Sequence, residues 1–294
     1  MDEHLIKNIK TLTSQLSGAE TEFKSRGEKP EVGLESLPKL NAFTWGFRKG
    51  LIVIGSRSSI GKSTIACQFA LDFAKQGIDT VFMSLEMDTN SIIERMFCNE
   101  MGIDNFLLTC GMFNLKADIQ DKWMEFKAKI EKFPLMITCD IGKSFEEVNR
   151  FVEILDPKPK VAILDYVQMT RFVKNEREEL TEYVRRFRQL MLENNMRGFA
   201  CSQINRMVEK ENDYRPRLEN LKSSGALEEA ADLALLLHWN YFYTKKEMDK
   251  NDYDILVAKN RFGKTGVHHL KYEPEYYRFR EREEKNDNAF NNAL

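Results

Sequence analysis

No charge of one sign dominates this chain. Its 294 residues carry 44 Lys+Arg against 46 Asp+Glu, a formal charge of −2. There is no global basic field to draw in a polyanion, so any nucleic-acid contact must be a local stripe or a channel built by assembly. The five cysteines (Cys67, Cys98, Cys110, Cys139, Cys201) form no C-x-x-C pair and read as small core residues in a reducing compartment. Of the four histidines, the adjacent His268 and His269 would face opposite sides of a strand, which disfavours a structural zinc site. No apolar run approaches the roughly 20 residues of a membrane-spanning helix. Met1 is followed by Asp2-Glu3-His4 and not by a basic, then apolar leader. Internal repeats are absent as well. What remains is a cytoplasmic protein without a membrane partner, long enough for one large α/β domain with a small appendage.

From Gly50 onward, strand-like and helix-like segments alternate, the pattern of a mostly parallel sheet covered on both faces. Strands are expected at Leu51–Gly55, Thr80–Ser84, Leu135–Cys139, Val161–Leu164, Phe199–Ser202, Leu233–His238, Asp254–Lys259 and Gly266–Tyr272. Helices are expected at Ser63–Lys75, Ser91–Met101, Ala117–Lys132, Phe145–Leu155 and Glu179–Glu193, the fourth opened by a Ser144/Glu147 capping box. Residues 1–41 read as an amphipathic helix (Leu5, Ile6, Ile9, Leu12 and Leu16 at helical spacing) and a linker. Residues 42–280 form the main domain, and 281–294 are a charged, Asn-rich tail expected to be disordered.

The run Leu51–Gly55 enters a small, polar loop, and Gly61-Lys62-Ser63-Thr64 opens a helix: the strand–loop–helix setting of a P-loop. The N–H groups of Ser58 to Thr64 (Ser58, Ser59, Ile60, Gly61, Lys62, Ser63, Thr64) and the positive helix end can cradle phosphates. Lys62 can reach the β/γ-phosphates, and the Ser63 hydroxyl can take a Mg²⁺ position. The cofactors expected are therefore ATP and Mg²⁺. One position departs from G-x-x-x-x-G-K-[ST]: Ser56 stands where the first glycine belongs, and Gly55 comes one residue early.

Acids and an amide close three further strands. Val161–Leu164 ends in Asp165, the Walker B pattern, placed to share Mg²⁺ with Ser63. Val81–Leu85 ends in Glu86, free to polarise an attacking water, and Phe199–Ser202 ends in Gln203, a neutral amide that could sense the γ-phosphate. An acid or amide after a core strand is also a common surface feature, so spacing alone leaves these roles open.

Five motifs in order then carry a family resemblance: Ser84-Leu85-Glu86-Met87, Asp165-Tyr166-Val167-Gln168, Ser202-Gln203-Ile204-Asn205-Arg206, Ser224-Gly225-Ala226-Leu227-Glu228 with Ala231-Asp232, and Lys259-Asn260-Arg261-Phe262-Gly263-Lys264-Thr265-Gly266. From about Trp45 to Phe279 the chain resembles the motor domain of DnaB-type replicative helicases, a RecA-like P-loop NTPase. That family tolerates a small residue where Ser56 stands. The resemblance implies an ATP-dependent, ring-forming helicase motor for DNA replication, with Lys62, Ser63 and Asp165 on phosphate and metal, Glu86 as catalytic base and Gln203 as γ-phosphate sensor. It implies that Lys259 and Arg261 reach across an interface into a neighbour's nucleotide site, in a homo-hexamer. A finger of this kind can be worth about 10³–10⁵ in rate. Arg95 matches a family arginine near the nucleotide.

Single-stranded DNA is the implied partner, gripped by a loop that holds Lys222, Ser223 and Gly225; Lys222-Ser223 replaces the family's Arg-Glu pair. A second basic loop, Arg171–Arg177, follows the Walker B strand. Primase or a helicase loader are further candidate partners. The family's amino-terminal helical domain is expected to be missing, in a compact variant or a fragment. The helix Leu5–Leu16 would pack on its own domain or dock on the adjacent subunit. Two alternatives stand beside this reading: a RecA-like ATPase for strand pairing or remodelling without unwinding, and a regulatory ATP-binding helicase partner.

Overall fold

The computed structural model describes residues 16, 20, 30–139, 144–169, 176–210, 213–221 and 224–282. The expected amino-terminal helix, apart from Leu16, lies outside the described residues, as do 171–175 of the second basic loop and the tail beyond Arg282.

In chain order the elements are α1 (Pro38–Thr44), β1 (Gly50–Ser56), α2 (Lys62–Lys75), β2 (Thr80–Ser84), α3 (Thr89–Met101), α4 (Asn105–Thr109), α5 (Ala117–Ile130), β3 (Leu135–Thr138), α6 (Phe145–Ile154), β4 (Val161–Asp165), α7 (Glu176–Glu193), β5 (Arg197–Gln203), α8 (Ser224–Ala230), β6 (Leu233–His238), α9 (Asn240–Thr244), β7 (Asp252–Asn260), β8 (Gly266–Glu273) and β9 (Arg278–Glu281), with short 3₁₀ turns between some of them. One sheet runs in the order β3-β2-β4-β5-β1-β6-β7-β8-β9. From β3 to β6 neighbours are parallel, and the β6–β9 edge is antiparallel. This is the expected α/β class.

Alternation along β1 shows why that strand is apolar on both sides. Ile52 and Ile54 face a layer containing α2, α3 and α5, while Leu51 and Val53 face α6, α7 and α8. The first layer holds a ring cluster of Phe47, Phe69, Phe73 and Phe199, with Phe47 and Phe199 centroids 4.9 Å apart. Removing each such side chain from water contributes about 1.5–3 kcal/mol. The Ser144/Glu147 capping box opens α6 as expected, and Asp88 caps α3 by accepting the Ser91 N–H.

The core begins earlier than expected. Val32, Leu34, Leu37 and Leu40 are fully buried, so the stretch assigned to a linker before residue 42 is part of the domain. Its apolar residues are spaced irregularly around Pro30, Gly33 and Pro38, which gives no helical or strand period to read. Asp72 on α2 fixes it by accepting from the Ser36 N–H and hydroxyl. Glu281, assigned to the tail, is in β9 and accepts the Lys39 N–H at 2.8 Å. Cys67, Cys98 and Cys201 are buried as read, whereas Cys110 is exposed. Among the described residues no helix is long and apolar enough to cross a membrane.

Candidate functional site

The parallel strands all point their carboxyl ends at one rim, where open α/β sheets gather ligands. At that rim β1 ends in Ser56, and the chain turns through 57–61 into α2. Gly61, the residue before α2, has φ 105°, a left-handed conformation that only glycine takes without strain. The early glycine also has its reason. A Cβ on Gly55 would stand 2.7 Å from Leu236 and 2.8 Å from Leu221, whereas Ser56 needs no positive φ. The motif departure at Ser56 is thus a matter of packing, with the close approach moved back by one residue.

The loop borders a cleft lined by Arg57, Ser58, Ser59, Gly61, Lys62, Ser63, Glu86, Met87, Arg95, Tyr166 and Gln203. Most of the residues expected to hold nucleotide meet here. Ile60 and Thr64 do not line the cleft: both side chains are buried, and only their main chain belongs to the loop. The Ile60 carbonyl accepts the Tyr253 hydroxyl of β7 at 2.9 Å, which ties the loop to the sheet beneath it.

On the floor, Lys62 Nζ donates to Asp165 Oδ1 at 2.5 Å, and both side chains are buried. Glu86 is half-exposed, with a carboxylate oxygen 4.0 Å from the same ammonium. Lys62 also sits 4.5 Å above the Tyr166 ring. Burial pulls the Lys62 ammonium down, but the charge and hydrogen bond of Asp165 outweigh it, and the pKa lies above the ordinary lysine value. Burial pushes the nearby Cys67 thiol up to about 12 and Cys201 well above its usual value, so both stay neutral beside the pair. The second oxygen of Asp165, Oδ2, is buried without a hydrogen-bond partner. A buried carboxylate with one oxygen paired keeps on the other an acceptor that a bound ligand could satisfy. Among the described residues no group of three or more His, Cys, Asp or Glu could hold a metal by itself. Mg²⁺ does not need such a cage, because it commonly takes one or two protein oxygens together with substrate phosphates.

Gln203, the last residue of β5, donates from Nε2 to the Ser58 hydroxyl at 2.5 Å. Arg95 on α3 donates to Thr64 Oγ1 at 3.1 Å and lies 4.9 Å above the Tyr277 ring. Sequence reading did not single out Arg57, Met87 or Tyr166. Met87 and Tyr166 follow Glu86 and Asp165 directly, so the signal was adjacency to a strand-end acid. Arg57 is held by Glu209 (2.8 Å) and the Ile204 carbonyl, a long-range pairing with no local signature.

Lys259 and Arg261 do not join this cleft. β7 runs antiparallel to β6, and Lys259 pairs with Ala234, which is level with Val53 in β1. The two cations therefore lie toward the opposite end of the sheet, where the chain leaves α8. Lys259 Nζ donates to the Glu228 carbonyl at 2.5 Å, and Arg261 Nη2 to the Glu229 carbonyl at 2.8 Å. The buried Asp232 lies 3.7 Å from Arg261 Nε and accepts two bonds from Arg188. Lys222 and Ser223 lie outside the described residues. Gly225 is half-buried near the start of α8, with open space where a Cβ would stand.

The profile of the DnaB-like helicase C-terminal domain family matches residues 33–281. The chain is 29% identical over 259 residues to the replicative DNA helicase DnaC of Bacillus subtilis, covering 85% of this chain and 57% of that protein. It is 30% identical over 251 residues to the replicative DNA helicase DnaB of Leifsonia xyli, covering 82% and 54%. The chain thus spans little more than half the length of these relatives. A DnaB-like replicative helicase, solved in a study of its interactions with primase, superposes with a TM-score of 0.85 at 23% identity, covering 93% of this chain and 69% of that one. A second solved structure, of an isolated ATPase domain, gives 0.85 at 22% identity, covering 94% and 100%. At such identities the likeness establishes the RecA-like fold.

Proposed function

Because this chain belongs to the DnaB-like helicase C-terminal domain family, we propose that it is the ATP-hydrolysing motor of a replicative helicase, one that moves along single-stranded DNA and separates duplex. The observation that carries this reading is the buried Lys62–Asp165 pair, set between an open helix N-terminus and the half-exposed Glu86.

Each part then has work to do. Main-chain N–H groups of the loop and the Lys62 ammonium hold the β- and γ-phosphates. Ser63 and the idle oxygen of Asp165 would hold Mg²⁺, which supplies charge neutralisation to the phosphates when bound. Glu86 stands at the cleft mouth to take the proton of an attacking water. Gln203 reports the γ-phosphate to the segments beyond β5. Arg95, steadied over Tyr277, borders the nucleotide. Lys259 and Arg261 exchange their carbonyl partners for a neighbouring subunit's nucleotide in a homo-hexamer. Lys222, Ser223 and Gly225 grip DNA phosphates, with little sequence preference and strong salt dependence. The partners of this reading are single-stranded DNA, other copies of the chain, and primase or a helicase loader, and its location is the cytoplasm.

The test is steady-state ATP turnover with and without single-stranded DNA, run beside a forked duplex. The expected result is turnover that rises with DNA and displaces a strand. Filaments that pair strands would favour the RecA-like alternative. Nucleotide binding without turnover in the assembled state would favour a regulatory module.

A further inference from the structure

β5 runs past its last partner on one edge. Its pairing with β4 ends at Leu164–Ala200, while its pairing with β1 continues to Ser56–Gln203. Beyond Asp165 the chain of β4 turns away into the short 3₁₀ segment Val167–Met169. The main-chain groups of Gln203 on that edge therefore have no strand to meet.

The side chain of Gln168 meets them instead. Its Oε1 accepts the Gln203 N–H at 3.1 Å, and its Nε2 donates to the Gln203 carbonyl at 3.3 Å and to the Ser202 hydroxyl at 2.7 Å. A carboxamide carries the donor and acceptor of a peptide group, so it can stand in for the missing β4 peptide. The same device closes another edge of this molecule. Gln68 Oε1 accepts the Phe279 N–H at 2.8 Å, and its Nε2 donates to the Phe279 carbonyl at 2.9 Å.

What Gln168 holds is the residue whose side chain bonds Ser58 in the phosphate loop. We propose that Gln168 is the positioning residue for Gln203: its amide extends the sheet by one surrogate peptide and so fixes where the Gln203 side chain meets the nucleotide. The inference rests on the reading of Gln203 as the γ-phosphate sensor. It makes the amide itself a requirement. Glutamate would set a second oxygen against the Gln203 carbonyl, and methionine would leave both main-chain groups unpaired. Misplacement of a catalytic group by about 1 Å can cost up to 10²-fold in rate.

Gln168→Met and Gln168→Glu test it by amide hydrogen exchange together with turnover. Exchange at the Gln203 amide should rise about tenfold or more in Gln168→Met, while the amides of Ile52 to Ile54 keep their protection. Turnover should fall about tenfold with nucleotide affinity kept within about twofold, the split expected when a group acts on the transition state only. In a Gln203→Ala background, Gln168→Met should cause no further loss. Unchanged exchange at Gln203 in both Gln168 variants would overturn the proposal. So would an equal loss of turnover in the wild-type and Gln203→Ala backgrounds, which would make Gln168 a merely structural residue. If Gln203→Ala alone keeps full turnover, the sensor role falls, and exchange at the Gln203 amide still decides whether Gln168 holds it.

Discussion

At the carboxyl-end rim of the sheet, side chains at or just beyond the ends of β1, β2, β4 and β5 face one cleft, and the buried pair at its floor is complete within a single chain. At the other end of β7, Lys259 and Arg261 direct their donors at the last carbonyls of α8. The first region keeps polar groups without a full set of partners in the chain: a helix N-terminus without a side-chain cap, a carboxylate oxygen without a hydrogen bond, a half-exposed acid. The second is satisfied as it stands, because cations at a helix C-terminus answer both its free carbonyls and its dipole. Chemistry is therefore legible at the rim from one chain, while at the far end the same geometry serves either a helix cap or a finger in waiting.

The largest expected effect separates those two roles. Arg261→Ala should lower turnover by about 10³-fold or more, with nucleotide affinity unchanged. Mixing it with a Lys62→Ala chain should restore activity above that of either alone, since some interfaces then combine an intact rim with an intact Arg261. Wild-type turnover in Arg261→Ala would leave the far end a helix cap and nothing more.

Next comes the rim itself. Glu86→Gln should cost about 10²–10⁴-fold in turnover and keep nucleotide binding, as expected for the loss of a general base that makes no essential ground-state contact. Mixing with Arg261→Ala sharpens the comparison further. Glu86→Gln chains can still lend Arg261 to a neighbour, so the mixture should exceed either variant alone. A Glu86→Gln protein that hydrolyses ATP at the normal rate would remove Glu86 from the mechanism.

The two regions also differed in how they could be read. Glu86, Asp165 and Gln203 were legible because each stands at the end of an apolar run, and parallel strands must bring such positions to one rim. Lys62 and Ser63 were legible because loop and helix chemistry fix their spacing. Lys259 and Arg261 carry no such local pattern, and only their place among five ordered motifs distinguished them. In the fold, long periodic elements were found to within a few residues. Residues 32–40 were missed because their burial depends on distant partners such as Asp72 and not on a period. The clamp of Gln168 on Gln203 was invisible for the same reason: it depends on where β4 stops.

A smaller effect tests how firmly the far end is held in the single chain. Asp232 accepts Arg188 through both oxygens and the Leu51 N–H, and it lies 3.7 Å from Arg261 Nε. Asp232→Asn removes the charge that these groups share, and Arg188 remains partly exposed, so solvent takes up part of the loss. Denaturant unfolding should show a loss of about 1–3 kcal/mol. If the far end is a finger held by this charge, Asp232→Asn should also change DNA-stimulated turnover by more than the unfolding loss explains. An unchanged turnover per folded molecule would mean that Asp232 serves the fold alone.

The smallest effect bears on β7, a strand that touches both regions. Tyr253, near its start, donates its hydroxyl to the Ile60 carbonyl under the phosphate loop, and Lys259 lies near its end. Burial holds the Tyr253 phenol well above its usual pKa, so it remains a donor at any working pH. Tyr253→Phe keeps the ring contacts with Tyr272 and Phe279 and deletes only that bond. The expected cost is about 1 kcal/mol of stability. If β7 carries strain from the finger end to the loop, the variant should lower turnover more than it lowers nucleotide affinity. If the two fall together, the bond simply braces the loop, and the rim and the far end communicate through the neighbouring chain instead.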